Sequence, residues 1–548
     1  MNHNRKSTLV GRAFWNFLGA SILTTVAGQL AVSTDAAIVS HLMGPHAMAA
    51  VNMAMPVLTV FLSLNSLLGV GASLLAAKAI GSRDKGEASR IFTAALYSVL
   101  TIGIAVSVVC SIFSGQIAKV VCSDAELLPL VHSYVKVTCL GVTVLVLSGM
   151  MNMMVQSDGR PRLVTCAVMA GAVTNVVLDI VFIKFLGWGI SGSAWATVIN
   201  YAVTVCITIS HLRRPSCSYR ILACGKWVWR SLKANLTEGT PMMIANVMLS
   251  VVVLLINRMV NGVLGSDGVY IVAVCIQLLL ITFVVLNGVI DAMFAIGGAL
   301  VGEKDTRGLG MLNRLVMTFA ATALAAFTLF VALFPGVMAT IFGADDPALR
   351  GQLCRALRIF SIILLPFSIT VVMRGMFQVL GYLVLSTGIA VAQVALIVIT
   401  IFLFTELAPA DMLWWGFPLS AIVLLAVQMG ITWRISRRQQ QGTSPVTLLP
   451  PIDESHTFDA TLKNADEIDQ IVHSTEDFLH SVSVDATAID QLTGQLADTL
   501  KSIGISSATD VHIVAEGNHA SLTVKYGGKA RENASKQAFG LNVVNCQC

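Results

Sequence analysis

Three carboxylates interrupt otherwise apolar stretches of this chain: Asp35, Asp179 and Asp291. An ionisable group inside a membrane-length segment costs on the order of 3 kcal/mol, so each is a candidate for binding a proton or a cation. Asn175 precedes Asp179 by four residues, which puts both on one face of a helix. Asn152 and Gln156 repeat that spacing, and Thr197 follows in a later apolar run. Two close carboxylates resist simultaneous ionisation, and neutral oxygens and amides beside them can complete a site for one small cation or a shared proton. Oxygen ligands suit a hard cation such as Na⁺ equally well, so residue types alone do not choose between H⁺ and Na⁺. The plainer reading is hydrogen bonding between neighbouring helices. That reading suits Thr197 taken alone better than it suits Asp35 and Asp179.

The elements that must position these groups are membrane helices. Of 548 residues, 55% are hydrophobic and 12% charged, and the mean hydropathy is +0.78. Soluble domains carry roughly 25% charged residues. Apolar runs near 14–41, 51–77, 91–115, 128–156, 163–184, 190–211, 239–262, 269–300, 313–334, 355–380, 383–406 and 413–433 are long enough to cross a hydrocarbon core about 30 Å thick. The polar, basic start Met1–Arg12 leads into a run longer than a signal-peptide core, which therefore reads as the first span. The eleven cysteines include no CxxC pair and lie mostly singly in apolar runs, as small buried hydrophobes do.

Charge divides the chain. Residues 443–548 hold 14 acidic and 6 basic side chains, and the rest hold 16 acidic and 29 basic. The basic excess alternates between loops, with Lys78, Arg83, Lys85 and Arg90 on one side, joined by Arg160, Arg162, Arg213, Arg214, Lys304, Arg307 and Arg437. The positive-inside rule then puts both termini in the cytoplasm of a multi-pass inner (plasma) membrane protein. It also explains the basic balance without nucleic acid.

The chain repeats itself at an offset of 221–222. Gly44 and Gly81 correspond to Gly265 and Gly302, Gly81-Ser-Arg-Asp84 to Gly302-Glu-Lys-Asp305, Asn65 to Asn287, and Gln156 and Gly159 to Gln378 and Gly381. Two six-helix halves of like orientation imply a pseudo-symmetry axis along the membrane normal and a cavity between them, an architecture for alternating access rather than catalysis. Gln156, Asn287, Asp291, Arg374 and Gln378 are the candidates to line that cavity.

Ser33-Thr-Asp35-Ala-Ala-Ile-Val-Ser-His-Leu-Met-Gly44 resembles the first-helix motif of multidrug and toxic compound extrusion (MATE) transporters. Gly81-Ser-Arg-Asp84, Gln156-Ser-Asp-Gly159-Arg-Pro161, Asn175-Val-Val-Leu-Asp179 and Ala194-Trp-Ala-Thr197 carry the resemblance onward, over residues 14 to about 436. It implies that Asp35, Asn152, Asn175, Asp179 and Thr197 bind the coupling cation, with Na⁺ held at Asp35, Asn175, Asp179 and Thr197 if Na⁺ is that ion. The chain departs from the family pattern in two places. No proline occurs between Met1 and Gly44, which argues against a proline bend in the first helix. No acid occurs between Pro241 and Ile256, so Asp291, paired with Arg374, is the candidate negative charge of the second half.

The tail is polar. Residues 439–451 read as a linker, Lys463–Val482 and Ala486–Ile503 as helices, and 511–515 and 521–526 as strands paired around a Gly517-Asn518 turn. This order resembles the histidine-kinase-like ATPase fold of anti-sigma-factor type. Gln495 and Tyr526 stand where that fold places its Mg²⁺ and adenine ligands, which argues against ATP binding and leaves a regulatory or protein-binding module, with a cytosolic protein as its partner. An unrelated small α/β tail is the plainer reading.

The expected architecture is thus an all-α polytopic membrane protein with twelve transmembrane helices in two pseudo-symmetric lobes, 1–218 and 219–438, a linker at 439–451 and a cytosolic α/β domain at 452–548. The expected function is H⁺- or Na⁺-coupled antiport of amphipathic, cationic small molecules, with no enzymatic activity and no organic cofactor. A lipid-linked precursor flippase of the same superfamily and a membrane receptor signalling through its tail are the rivals.

Overall fold

The computed structural model describes residues 8–122, 124, 126–223, 225–343, 346–407, 409–438, 448–450, 455–462, 464–482, 484–503, 509–516, 519–526, 536–538 and 541–547. Twelve helices are long and apolar enough to cross a membrane. The first six are Leu9–Met43, His46–Gly81, Lys85–Ile112, Leu128–Ser157, Pro161–Phe185 and Ile190–Arg213, here spans 1 to 6. Spans 7 to 12 are Trp227–Gly265, Asp267–Gly302, Thr306–Leu333, Pro347–Val379, Leu383–Leu407 and Met412–Arg437. Several outrun the expected apolar runs, span 7 starting at Trp227 rather than 239, because polar helix ends continue beyond the hydrocarbon. An even number of spans puts both ends of the bundle on one side, called the tail face below.

The sequence repeat recurs as backbone conformation. Left-handed φ occurs at Gly44 and Gly265 (86° and 62°), at Arg83 and Lys304 (66° and 57°), and at Gly159 and Gly381 (81° and 86°). The loops after spans 2 and 8 also cap the following helix alike: Asp84 accepts from the Glu87 N–H at 2.8 Å and Asp305 from the Gly308 N–H at 2.7 Å.

Each half has its own apolar core. Val39, Phe61, Phe92, Tyr134 and Met150 belong to one, and Leu278, Met293, Phe360, Leu364 and Phe417 to the other. Span 1 joins both. Its tail-face half, with Phe14 and Phe17, packs into the second core, whereas Val39 near its far end belongs to the first. Span 1 is helical from Thr8 to Met43, in keeping with its lack of proline.

The tail is a five-stranded antiparallel sheet, β1 (Thr457–Leu462), β2 (Thr509–Glu516), β3 (His519–Tyr526), β4 (Lys536–Ala538) and β5 (Leu541–Gln547), in the order β1-β2-β3-β5-β4. Helices Ile468–Ser481 and Ala486–Ile503 share its apolar core. Strands β2 and β3 pair as their alternation requires; the turn between them, Gly517-Asn518, lies outside the described residues. The sequence reading began the tail with a helix, whereas β1 comes first. Its pattern Phe458-Asp459-Ala460-Thr461-Leu462 is short and carries an aspartate, which hides it from a propensity argument.

Candidate ion-coupling and gating site

The carboxylates of Asp35 and Asp179 are electrostatic neighbours. Asp35 is 8% exposed on span 1 and accepts a hydrogen bond from the Ser193 hydroxyl at 2.9 Å. Asp179 is fully buried on span 5, and neither of its oxygens has a hydrogen-bond partner among the described residues. Asn175, one turn earlier, is 3% exposed with an unspent Nδ2. No Lys or Arg among the described residues forms an ion pair with either carboxylate. Immediately after Asp179 the helix widens into a π turn at Val181–Phe185, a distortion that often marks functional positions.

Around the pair stand residues that sequence reasoning missed. Ser193 lies four residues before Thr197, on the same face of span 6. Thr197 neighbours Tyr134, a fully buried side chain on span 4 that lies within electrostatic reach of both carboxylates, and Tyr201 lies within reach of Asp35. The i, i+4 spacing of Ser193, Thr197 and Tyr201 was a legible signal for that face. The candidate Asn152 is not brought to the pair: it lies on the same helix as Tyr134 but 18 residues, about 27 Å, further on, at the tail-face end of span 4. Two unspent carboxylate oxygens, a carboxylate held by one hydroxyl, and further hydroxyl and amide groups form a donor set that fits one proton or one hard cation.

Among the described residues the second half contains no such pair. Asp291 and Arg374 form no ion pair: the Arg374 guanidinium turns to Gln393 Oε1 at 3.5 Å, on span 11, while Asp291 lies half-buried on span 8. Nothing in the primary structure announced Gln393 as the competing acceptor. Gln378 makes its contact within the second half, between spans 10 and 7. It is buried and donates from Nε2 to the Glu238 carbonyl at 2.6 Å. Gln156 is likewise buried, at the tail-face end of span 4, and Asn287 is half-buried on span 8.

A seal on the tail face joins the two halves. Lys78 of span 2 meets Glu238 of span 7 at 3.2 Å. Spans 2 and 7 cross backbone to backbone, since a Cβ on Gly71 would lie 2.0 Å from the Asn235 carbonyl oxygen and one on Gly239 1.9 Å from that of Leu67.

Among the described residues two clusters of metal-ligand residues occur, Asp158–His211–Cys217 and Asp305–Asp459–His512. Each is explained by hydrogen bonds and ion pairs. Asp158 Oδ2 meets His211 Nε2 at 2.6 Å and accepts from the Ser218 N–H at 3.2 Å, which fastens residues 211–218 to the loop after span 4. Asp459 meets His512 at 2.9 Å and Arg307 at 3.7 Å, and Asp305 meets Lys525 at 3.4 Å.

Comparison with known proteins agrees with the two-half architecture. The MatE family model matches residues 20–181 and 241–403, two segments that begin 221 residues apart, the offset of the internal repeat. Multidrug export protein MepA of Staphylococcus haemolyticus is 21% identical over 425 residues, 76% of this chain and 91% of that protein. Its namesake in Staphylococcus saprophyticus is 20% identical over 397 residues, 72% of this chain and 87% of the relative. Among solved structures, MATE in the bent conformation superposes with a TM-score of 0.72 at 23% identity, covering 80% of this chain and 99% of the other. A MOP superfamily transporter from Pyrococcus furiosus gives 0.72 at 22%, covering 80% and 98%.

Proposed function

The chain belongs to the MatE family, and on that premise we propose that it is a cation-coupled antiporter exporting amphipathic, cationic small molecules. The observation that carries the reading is the Asp35–Asp179 pair, buried together without a compensating Lys or Arg. Negative charge kept in a membrane helix without a counter-charge favours uptake of a cation from water. Asp179 and Asn175 supply unspent polar atoms, Ser193 orients Asp35, and Thr197 and Tyr134 complete the donor set. H⁺ and Na⁺ are both compatible with these donors.

The excess of basic residues on the tail-face loops supports a cytoplasmic tail face. The Lys78–Glu238 pair, with the close crossing of spans 2 and 7, then closes the path from the cytoplasm. Span 1 links the two events, because it carries Asp35 while its other end is packed in the second half's core. Cation binding at Asp35 therefore acts on a helix held by both halves. A flippase for lipid-linked precursors would be expected to line its cavity with several cations; among the described residues Arg374 is the one at depth, and its Nη1 is engaged by Gln393.

The test is transport of a cationic dye by proteoliposomes under an imposed ΔpH or Na⁺ gradient. Gradient-dependent flux that Asp179→Asn abolishes supports the reading; equal flux with no gradient, or an unaffected Asp179→Asn protein, refutes it.

A further inference from the structure

The tail is seated on the tail face through a buried polar surface. Cross-strand register places Asp459, His512 and Thr523, then Asp510 and Lys525, on one face of the sheet, while Val511, Ile513, Leu522 and Val524 fill the apolar core on the other. Alternation of this kind is that of an antiparallel sheet with one face in water. Here the polar face is covered: Asp459, Asp510, His512, Thr523 and Lys525 are each no more than 7% exposed.

What covers it includes the two repeat-related loops of the membrane bundle. Arg83, on the loop after span 2, donates from Nη2 to the Leu522 carbonyl at 3.0 Å and to the Thr523 hydroxyl. Lys525 donates to Glu303 and, at 3.4 Å, to Asp305, both on the loop after span 8. Thr523 and Lys525 are two residues apart, so their side chains leave the same face of β3 at roughly 7 Å spacing. One strand therefore bridges both halves of the transporter where they meet.

The attachments are unequal. To the second half the tail adds Arg307 against Asp459 and the linker leucines, Leu448 packing near Met373 and Phe377 and Leu449 against Gly310. To the first half the contacts described run through Arg83. We propose that the tail is an intramolecular clamp: it rides on the second half and, through Arg83, holds the first half against it, so that the face must undock from Arg83 before the transporter can open there. Because that face has the alternation of a solvated sheet, the tail stays folded when released, and docking is reversible. Any cytosolic protein that covers β3 would then release the gate.

The proposal rests on the alternating-access reading above, and its test separates the two. Spin labels carried by unnatural amino acids at Lys85 and Arg314 report the separation of the halves on the tail face in full-length protein, with no gradient and no substrate. Wild type is expected to give one short distance. Arg83→Ala, Lys525→Glu and a chain lacking residues 452–548 are each expected to add a longer population, and to raise dye uptake from the tail-face side about tenfold. Arg83→Ala leaves the tail's own residues untouched, so it reports docking rather than folding. Unchanged distances in all three variants overturn the clamp, whether or not the protein transports. Longer distances without gradient-driven flux would keep the clamp and remove antiport.

Discussion

Gly81 and Gly302 occupy equivalent positions in the two halves, and each lies against the helix that carries the other. A Cβ on Gly81 would stand 2.0 Å from the Ala299 carbonyl oxygen, and one on Gly302 2.0 Å from that of Lys78. Backbone contact this close requires glycine on both sides, and the pseudo-two-fold makes the requirement reciprocal. Gly81→Ala and Gly302→Ala should each oppose closure at a cost of about 1–3 kcal/mol, in the range of overpacking elsewhere. The measurement is the population of separated halves, read by label distances across the tail face, and no change in either variant would show that the contact is not part of a closing seam.

Asp35 and Asp179 should act as a unit. Asp35→Asn and Asp179→Asn are each expected to lower gradient-driven flux at least tenfold, and the double variant should lose little more, because groups sharing one cation are not additive. A multiplicative loss in the double variant would mean that the two act separately.

Ser193→Ala removes the hydroxyl donor to Asp35. The expected result is a drop in gradient-driven flux of about 5- to 150-fold, matching the loss of about 1–3 kcal/mol for one hydrogen bond to a buried charged group. Thermal stability should move far less than flux, and the reverse pattern would make Ser193 a packing residue.

Lys78→Glu should weaken the seal, and Lys78→Glu with Glu238→Lys should restore it. The pair is partly exposed, so the coupling energy expected from the double-mutant cycle is about 1 kcal/mol or less. The same tail-face distance measurement reads both.

Burial pushes the Cys217 thiol up from its ordinary value of 9 to about 11. The native protein thus keeps this group protonated between pH 9 and 11 while the unfolded chain ionises it. Its contribution to stability is complete below pH 9 and is lost as pH rises towards 11. Cys217→Ser should flatten the alkaline limb of a stability profile, and a maleimide should leave Cys217 unmodified at pH 8 in folded protein.

Much of this protein is written in local pattern. Hydropathy alone is enough for twelve spans, because water and hydrocarbon sort residues one segment at a time. The 221-residue repeat already pairs Gly44 with Gly265 and Gly159 with Gly381, and the backbone shows why: each pair shares a left-handed turn that favours glycine. Asn175 and Asp179 share a helix face by spacing. Tertiary structure alone decided which groups meet across segments. Ser193, 158 residues along the chain, donates to Asp35, Arg374 meets Gln393 rather than Asp291, and Gln378 ties span 10 to the Glu238 carbonyl of span 7. The covered polar face of the tail sheet is equally invisible in sequence, where it reads as a solvated surface. Helical period and hydropathy depend on neighbours along the chain. Partner choice between helices depends on how whole surfaces pack, and one residue cannot carry that information.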